Sequence, residues 1–241
     1  IGIKNERIEK IAANISSDAR DEIDLQGKLL IPGLIDDQVH FREPGLTHKG
    51  EIATESKAAI AGGVTSYFEM PNVNPNTSTI ENLEKKFDIA TNNSYANYSF
   101  YLGATNDNIE EIKKSDPNAS CGLKVFMGAS TGDLLVDKYE SLEKIFEHCP
   151  TNIVTHCEDP KRLVENENIF QEKYGDQLHA AHHAVIRDEE CCYLSSSLAV
   201  GLAKRFGANL HVLHLSTKRE MDLFEPCLLY TSDAADDCWS V

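Results

Sequence analysis

Positive charge is scarce in this sequence, which has 23 lysine and arginine residues against 39 aspartate and glutamate residues and a net charge of −16. Nucleic acids and anionic membranes are bound through basic surfaces, so this balance argues against both as partners. An anionic ligand would have to be bound in a local pocket of positive charge. No apolar run approaches the roughly 20 residues that a membrane-spanning helix needs, which argues against a transmembrane protein.

The sequence also lacks paired-cysteine motifs and a phosphate-binding loop. Its seven cysteines are scattered, and only Cys191 and Cys192 are adjacent. This spacing predicts neither a disulfide framework nor a cysteine zinc site. Without a glycine-rich loop of the expected form, a nucleotide-binding open α/β domain is a poor interpretation. The proportion of hydrophobic residues, 41%, is ordinary for a folded protein. We therefore expect a cytoplasmic enzyme that acts on a small molecule.

Short apolar segments alternate along the chain with segments that carry helix start and stop signals. Asp159-Pro160 is an N-cap followed by proline, and a long helical pattern runs from Asp188 to a stop at Gly207. Capping boxes are predicted at Ser78-x-x-Glu81, Asp107-x-x-Glu110 and Asp137-x-x-Glu140. Strands are predicted over Leu34–His40, Thr65–Met70, Tyr98–Ala104, Gly122–Met127, Asn152–Cys157 and Leu210–Leu215.

This alternation predicts an α/β protein with βα units around a parallel sheet. A complete TIM (β/α)₈ barrel has eight strands in about 250 residues, whereas the sequence shows six strand–helix units. The periodicity does not distinguish an open sheet from a partial barrel. Before it, Ile3–Ile15 and Lys28–Ile31, with a turn at Asn5-Glu6, indicate a small β element. We therefore divide the chain into an N-terminal β element (1–31) and an incomplete barrel (32–226).

The last residues differ in character from the rest of the chain. After Pro226 there is no apolar periodicity, and the only tryptophan, Trp239, lies here. The segment from Cys227 to Asp236 resembles a translated sequencing-library adaptor. We therefore hypothesise that residues 227–241 are a non-native tail.

Polar side chains cluster at the ends of the first two predicted strands. Side chains alternate along a strand, so Asp36, Gln38, His40 and Arg42 are predicted to share one side. Four polar groups at the carboxyl end of a strand suit the active-site rim of a barrel, although a solvated strand end is the alternative. Asn72 follows the second strand, where its amide would lie near Arg42, whose planar guanidinium suits a carboxylate.

Lys124 lies within the apolar strand Gly122–Met127, where an unpaired ammonium is strongly disfavoured. One interpretation is that the side chain extends to a strand end and reaches solvent. The other is a neutral amine that reacts with carbon dioxide. The resulting carbamate is anionic and has two oxygens, so it could bridge two metal ions.

Two further apolar strands reach a histidine near their ends, His156 and His214. A lone histidine in such a place is usually a core residue, but two of them with His40 and Lys124 indicate a metal centre. Imidazole is the commonest protein ligand for zinc, and catalytic zinc keeps an open position for water. His211 and His214 are predicted to face opposite sides of their strand, and we assign His214 as the ligand.

Taken together, five stretches resemble the cyclic amidohydrolases of the metal-dependent amidohydrolase superfamily, most closely the dihydroorotases. They occur in order along nearly all of 31–216, and the Arg-Glu-Pro-Gly run is the most specific. The stretches are Val39–Gly45, Glu69–Asn72, Lys124–Gly128, Thr155–Glu158 and His211–Ser216. The resemblance implies a metal-centred partial TIM barrel beside a small β-sandwich built from both chain ends.

The resemblance also implies site residues and an activity. Arg42 and Asn72 would hold the substrate carboxylate. The implied reaction is reversible hydrolysis of dihydroorotate to N-carbamoyl-aspartate in pyrimidine biosynthesis, by water activated at the metal, in a homo-oligomer when full length. The implied ligands of one or two zinc ions are His40, Lys124 as its carbamate, His156 and His214.

Two departures from the family pattern matter. Gln38 stands where the family usually has the first histidine of His-x-His, and an amide is a weaker zinc ligand. The proton-shuttling aspartate belongs at the end of an eighth strand that is absent here. We therefore expect the chain as given to be an inactive fragment.

The alternatives to dihydroorotase activity are dihydropyrimidinase, hydantoinase or allantoinase activity, or a non-catalytic dihydroorotase-like subunit that organises a partner enzyme. A carboxylate bound by Arg42 and Asn72 favours dihydroorotate.

Overall fold

The computed structural model describes residues 1–224 except 17, 129 and 131. The hypothesised non-native tail, 227–241, lies outside the described residues. The chain divides into two compact units, Ile1–Pro32 and the remainder from Gly33. Among the helices of the described part, none is long and apolar enough to cross a membrane.

The first unit contains a β-hairpin. Strands β1 (Gly2–Lys4) and β2 (Arg7–Lys10) pair antiparallel. The turn between them is formed by Asn5 and Glu6, which both have positive φ, as the sequence predicts. The predicted continuation of this element at Lys28–Ile31 is wrong, because that segment forms no strand. That the hairpin belongs to a composite β-sandwich stays a prediction.

The second unit is built on one six-stranded sheet whose neighbouring strands are all parallel and follow the chain order. All six predicted strands are confirmed, with ends that differ by at most three residues. His211 on the last strand lies 3.3 Å from Asp37 on the first (Nε2 to Oδ2). Because these strands are the two edges of the sheet, the sheet is curled into a partial TIM barrel. The strands are β3 (Leu34–Val39), β4 (Val64–Glu69), β5 (Asn97–Gly103), β6 (Gly122–Phe126), β7 (Ile153–His156) and β8 (Leu210–Val212).

Helices connect successive parallel strands, as expected for βα units. The helices are α1 (Ile52–Ala61), α2 (Ile80–Asn93), α3 (Ile109–Ile112), α4 (Tyr139–His148), α5 (Pro160–Tyr174), α6 (His183–Ile186) and α7 (Glu189–Phe206). Single 3₁₀ turns lie at Gly132–Leu134, Gly175–Gln177, Ala180–His182 and Arg219–Leu223.

Two of the predicted helix starts are confirmed by their hydrogen bonds. Asp159 caps α5 by accepting from the backbone N–H of Arg162, and Asp188 caps α7 by accepting from that of Cys191. Gly207 ends α7 in the left-handed conformation that glycine adopts without strain.

The three predicted capping boxes are wrong by one residue each. The residues that precede the helices are Thr79, Asn108 and Lys138. Asp137 fails as a cap because its carboxylate accepts instead from the side chain of Asn106, 3.0 Å away. Competition between local capping and longer-range hydrogen bonds is invisible in a four-residue motif.

The main hydrophobic core lies between the sheet and helices α4 and α7. All five residues of β6 are buried, and its neighbours Ile153 and Leu102 are fully buried with it. Burial on both faces of a parallel strand explains its continuous apolar sequence. It also means that any polar side chain on β6 is removed from water, which bears directly on Lys124.

Candidate metal and substrate site

The loops that follow β3 and β4 meet at the carboxyl ends of the strands. His40 Nδ1 lies 3.0 Å from the side-chain oxygen of Asn72. The guanidinium of Arg42 donates to the backbone carbonyl of Asn72 over 3.2 Å. The structure therefore brings Asn72 to His40 and Arg42, from which it is separated by 32 and 30 residues of sequence.

Arg42 has a backbone conformation that its sequence does not reveal. Strand β3 ends at Val39, and Arg42 has a φ of 71°, in the left-handed region. The prediction that Asp36, Gln38, His40 and Arg42 share one side is therefore wrong, because the pairing of β3 with β4 is irregular between Asp36 and Val39 and the strand ends at Val39. The backbone N–H of Arg42 instead donates to the carboxylate of Glu69, 2.9 Å away.

Lys124 is enclosed in the centre of the sheet. It is only 1% exposed, and its Nζ has no hydrogen-bond partner. The nearest aromatic group is the ring of Phe126, whose centroid is 4.7 Å from Nζ. Burial lowers the pKa of Lys124 to about 7. The interpretation that this side chain reaches solvent is therefore wrong, and a substantial fraction of the amine is neutral near pH 7.

We expect Lys124 to make the stability of the metal-free chain depend on pH. Its pKa falls from an ordinary 10.5 to about 7 in the folded chain. Between these values the unfolded chain binds more protons, so the free energy of unfolding rises with pH there. Below about pH 7 both states are protonated and the full cost of the buried ammonium remains. The variant Lys124→Met lacks this dependence. In urea titrations its stability advantage over the wild type should shrink by on the order of 2 kcal/mol from about pH 7 to 9. A constant advantage would contradict the burial argument.

His156 and His214 form a second pair of converging side chains. His156 Nδ1 lies 3.0 Å from His214 Nε2. The other nitrogen of His156, Nε2, lies 2.8 Å from the carboxylate of Glu158, which also accepts from Arg187 over 2.6 Å. A carboxylate only accepts, so Nε2 of His156 is the donor in this pair, and in the neutral imidazole Nδ1 then presents its lone pair to His214. A carboxylate that orients a histidine in this way is typical of metal ligands.

Electrostatic interactions link these two pairs through Lys124. Desolvation of the His40 ring, then the charge of Arg42 and, to a smaller extent, the charge of Lys124 together lower the pKa of His40 to about 4. Burial lowers the pKa of His214, with contributions from His156 and Lys124. Both imidazoles are therefore favoured in the neutral form that binds metals. Lys124 lies within electrostatic range of both.

These residues fit a metal ion in their chemistry. The lone pair of His156 faces another imidazole nitrogen, and the Lys124 amine is a buried polar atom without a partner. Two nitrogens on one tetrahedral zinc ion would be about 3.3 Å apart, close to the observed 3.0 Å. Within the part of the chain that the structure describes, no three His, Cys, Asp or Glu side chains form a metal-binding group. The structure therefore pairs His156 with His214 but does not bring His40 together with them in one group of three such ligands.

Sequence reasoning missed two groups near these residues. Asp37 is not among the strand-end residues that the sequence analysis selects, but it pairs with His211, which lowers its pKa, and its carbonyl accepts from Tyr101 over 2.9 Å. Glu158 was not singled out, although its place two residues after His156 is a usable signal. The Asp37–His211 contact joins the two sheet edges, and no pattern within one strand could have predicted it.

Comparison with known proteins identifies the family. Residues 27–220 match a family model described as dihydro-orotase-like. The chain belongs to this dihydroorotase-like family. Among curated relatives, an allantoinase of Streptomyces avermitilis is 33% identical over 88% of the chain, and a dihydroorotase of Methanosphaera stadtmanae is 30% identical over 83%. These alignments cover 47% and 45% of the relatives, so the chain spans about half their length.

Solved structures of the dihydroorotase-like fold agree with the architecture. The L-hydantoinase (dihydropyrimidinase) of Arthrobacter aurescens superimposes with a TM-score of 0.80 and 26% sequence identity. The superposition covers 86% of this chain and 47% of the hydantoinase. The relatives of this dihydroorotase-like chain thus include enzymes named for three different cyclic amides, and the family membership alone leaves the substrate open.

Proposed function

We propose that the protein containing this dihydroorotase-like chain is a metal-dependent cyclic amidohydrolase and that its substrate is dihydroorotate, hydrolysed reversibly to N-carbamoyl-aspartate. The observation that carries the proposal is the Lys124 amine, 1% exposed and without a hydrogen-bond partner, whose charge lowers the pKa of both His40 and His214. An unpaired buried amine is costly, and a role as a carbamate ligand explains why the site retains it.

The metal ligands that we propose are His40, Lys124, His156 and His214, with zinc as the ion. The neutral amine of Lys124 would attack carbon dioxide, forming an N–C bond and releasing one proton, to give a carbamate whose two oxygens share one negative charge. When bound, the metal supplies Lewis acidity towards the ring amide and a water nucleophile near neutral pH. The Glu158–Arg187 pair holds the ring of His156, so that Nδ1 stays directed at His214.

Arg42 and Asn72 are the residues that we assign to substrate binding. Arg42 is half-buried at the same edge as His40, and its guanidinium lies against the backbone of Asn72. A guanidinium held in this way can donate two hydrogen bonds to a carboxylate, and this bidentate pair would fix the orientation of the substrate ring. Dihydroorotate has such a carboxylate, whereas dihydrouracil does not, and this difference favours dihydroorotate.

Allantoin is the second candidate substrate, because the allantoinase of Streptomyces avermitilis is 33% identical to this chain. The two substrates can be separated with protein expressed from the full coding sequence that contains this chain. Hydrolysis of dihydroorotate, allantoin and dihydrouracil would be followed at equal enzyme concentration, with zinc measured in the same samples. Preference for dihydroorotate with bound zinc supports the proposal. Preference for allantoin or dihydrouracil would overturn the assignment of dihydroorotate as the substrate. A folded protein that binds no metal and hydrolyses none of the three compounds would overturn the proposed enzymatic function.

The variant Arg42→Met tests the carboxylate assignment. We expect the KM for dihydroorotate to rise about 10- to 100-fold, because a charge-assisted pair is lost, while turnover of dihydrouracil changes little. The matched control is Arg205→Met, which removes an exposed arginine paired with Glu143. Equal losses on both substrates would show that Arg42 acts on the fold rather than on the carboxylate.

A further inference from the structure

A fully buried ion pair lies next to the loop after β3 that carries Arg42. Glu69 is the last residue of β4, Lys86 lies on α2, and both side chains are 0% exposed with Nζ and Oε2 3.1 Å apart. Lys86 Nζ also donates to the carbonyl of Met70 over 3.0 Å and lies 5.0 Å from the ring centroid of Phe100. Burial raises the pKa of Glu69 and lowers that of Lys86, and the charge of each partner opposes these shifts.

The second carboxylate oxygen of Glu69 points away from the lysine and into the loop after β3. Oε1 accepts the backbone N–H of Arg42 over 2.9 Å. Arg42 has a φ of 71°, which an arginine adopts only when its surroundings impose it. At its other end, the guanidinium donates to the carbonyl of Asn72. Arg42 is thus attached through its backbone to the last residue of β4 and through its guanidinium to the loop that follows β4.

We infer that Glu69 and Lys86 are positioning residues for substrate recognition: Lys86 fixes the Glu69 carboxylate, and Glu69 holds the backbone of Arg42 so that its guanidinium meets the substrate carboxylate. The inference rests on the proposed function for its substrate. A purely structural ion pair would need only Oε2 of Glu69. The contact of Oε1 with Arg42 across 27 residues of sequence gives the pair a direct connection to the site.

The inference is tested by removing the acceptor without leaving an unpaired charge. In the double variant Glu69→Met/Lys86→Met, apolar side chains of similar length replace the pair, a change that is often neutral for folding. In Glu69→Gln/Lys86→Met the charges are also lost, but the glutamine oxygen can still accept from Arg42. An exposed pair on the same helix, Glu81 and Lys85, 2.6 Å apart, provides the matched control Glu81→Met/Lys85→Met.

We expect the KM for dihydroorotate to rise about tenfold or more in Glu69→Met/Lys86→Met, since even 1 Å of misplacement can cost about 10²-fold. Turnover of dihydrouracil, which lacks the carboxylate, should be unchanged. In Glu69→Gln/Lys86→Met the KM for dihydroorotate should return most of the way to the wild-type value, and the Glu81/Lys85 control should behave as the wild type. The inference would be overturned if a folded Glu69→Met/Lys86→Met protein discriminated between dihydroorotate and dihydrouracil as the wild type does. It would also be overturned if hydrolysis of the two substrates fell by the same factor.

Hydrogen exchange gives a second readout that needs neither metal nor substrate. The Arg42 amide should be protected in the wild-type chain and exchange faster in Glu69→Met/Lys86→Met than in the glutamine variant. A wild-type Arg42 amide that exchanges as fast as an exposed loop would overturn the inference even if the methionine variant does not fold. If the wild-type enzyme prefers a substrate without a carboxylate, the proposed function fails, while this exchange measurement still decides whether Glu69 holds Arg42.

Discussion

Replacing Lys124 by alanine is expected to abolish hydrolysis and to remove at least one metal ion from the protein expressed from the full coding sequence. The amine is buried, has no partner and has a pKa lowered to about 7, so that it can react with carbon dioxide without first losing a strong ion pair. Alanine provides neither the carbamate nor any other ligand atom. The loss in kcat should reach about 10³-fold or more, in line with removal of an electrostatic group from a water-excluded site.

Metal content and carbamate formation would be measured on the same samples. With ¹³C-labelled bicarbonate, the wild type should show a carbamate resonance that Lys124→Ala lacks, and zinc analysis should show the missing ion. Lys85→Ala is the control, since that lysine is exposed and paired only with Glu81. A Lys124→Ala protein that keeps its full metal content and its activity would refute the carbamate assignment.

Breaking the buried ion pair from one side should be the most destabilising change in the barrel. Lys86→Met leaves the Glu69 carboxylate buried with no counter-charge, and loss of one partner of such a pair costs about 3–5 kcal/mol. Adding Glu69→Met should restore much of that stability, because no unpaired charge remains. Urea titrations of the wild type, both single variants and the double variant form a complete double-mutant cycle.

The pH dependence of Lys86→Met gives an independent check. Burial already raises the pKa of Glu69, and without Lys86 it should rise further. Glu69 then stays protonated in the folded variant at pH values where it has already lost its proton in the unfolded chain, that is, above its ordinary pKa of 4.5. Its free energy of unfolding relative to the wild type should therefore fall as the pH rises from about 5 to about 8. If Lys86→Met is as stable as the wild type at both pH 5 and pH 8, the Glu69 and Lys86 charges do not stabilise each other.

Local patterns were sufficient for the elements and for most of the candidate residues. Six strands, the caps at Asp159 and Asp188 and the left-handed stop at Gly207 follow from nearest-neighbour chemistry that a single sequence contains. Predictions failed where a polar side chain had a better partner far away in the sequence. Asp137, which bonds Asn106 instead of capping α4, is the clearest case.

The sequence by itself determined that this chain forms βα units, that its strand ends carry histidines, an arginine and an asparagine, and that one strand contains a lysine. Period-two and period-3.6 patterning arise from local backbone geometry, so they can be read without coordinates. Only the tertiary structure decided that the sheet curls until Asp37 meets His211, that Lys124 is sealed from water and that Glu69 holds the backbone of Arg42. Desolvation and long-range hydrogen bonds depend on which distant segments pack together, and no local pattern encodes that.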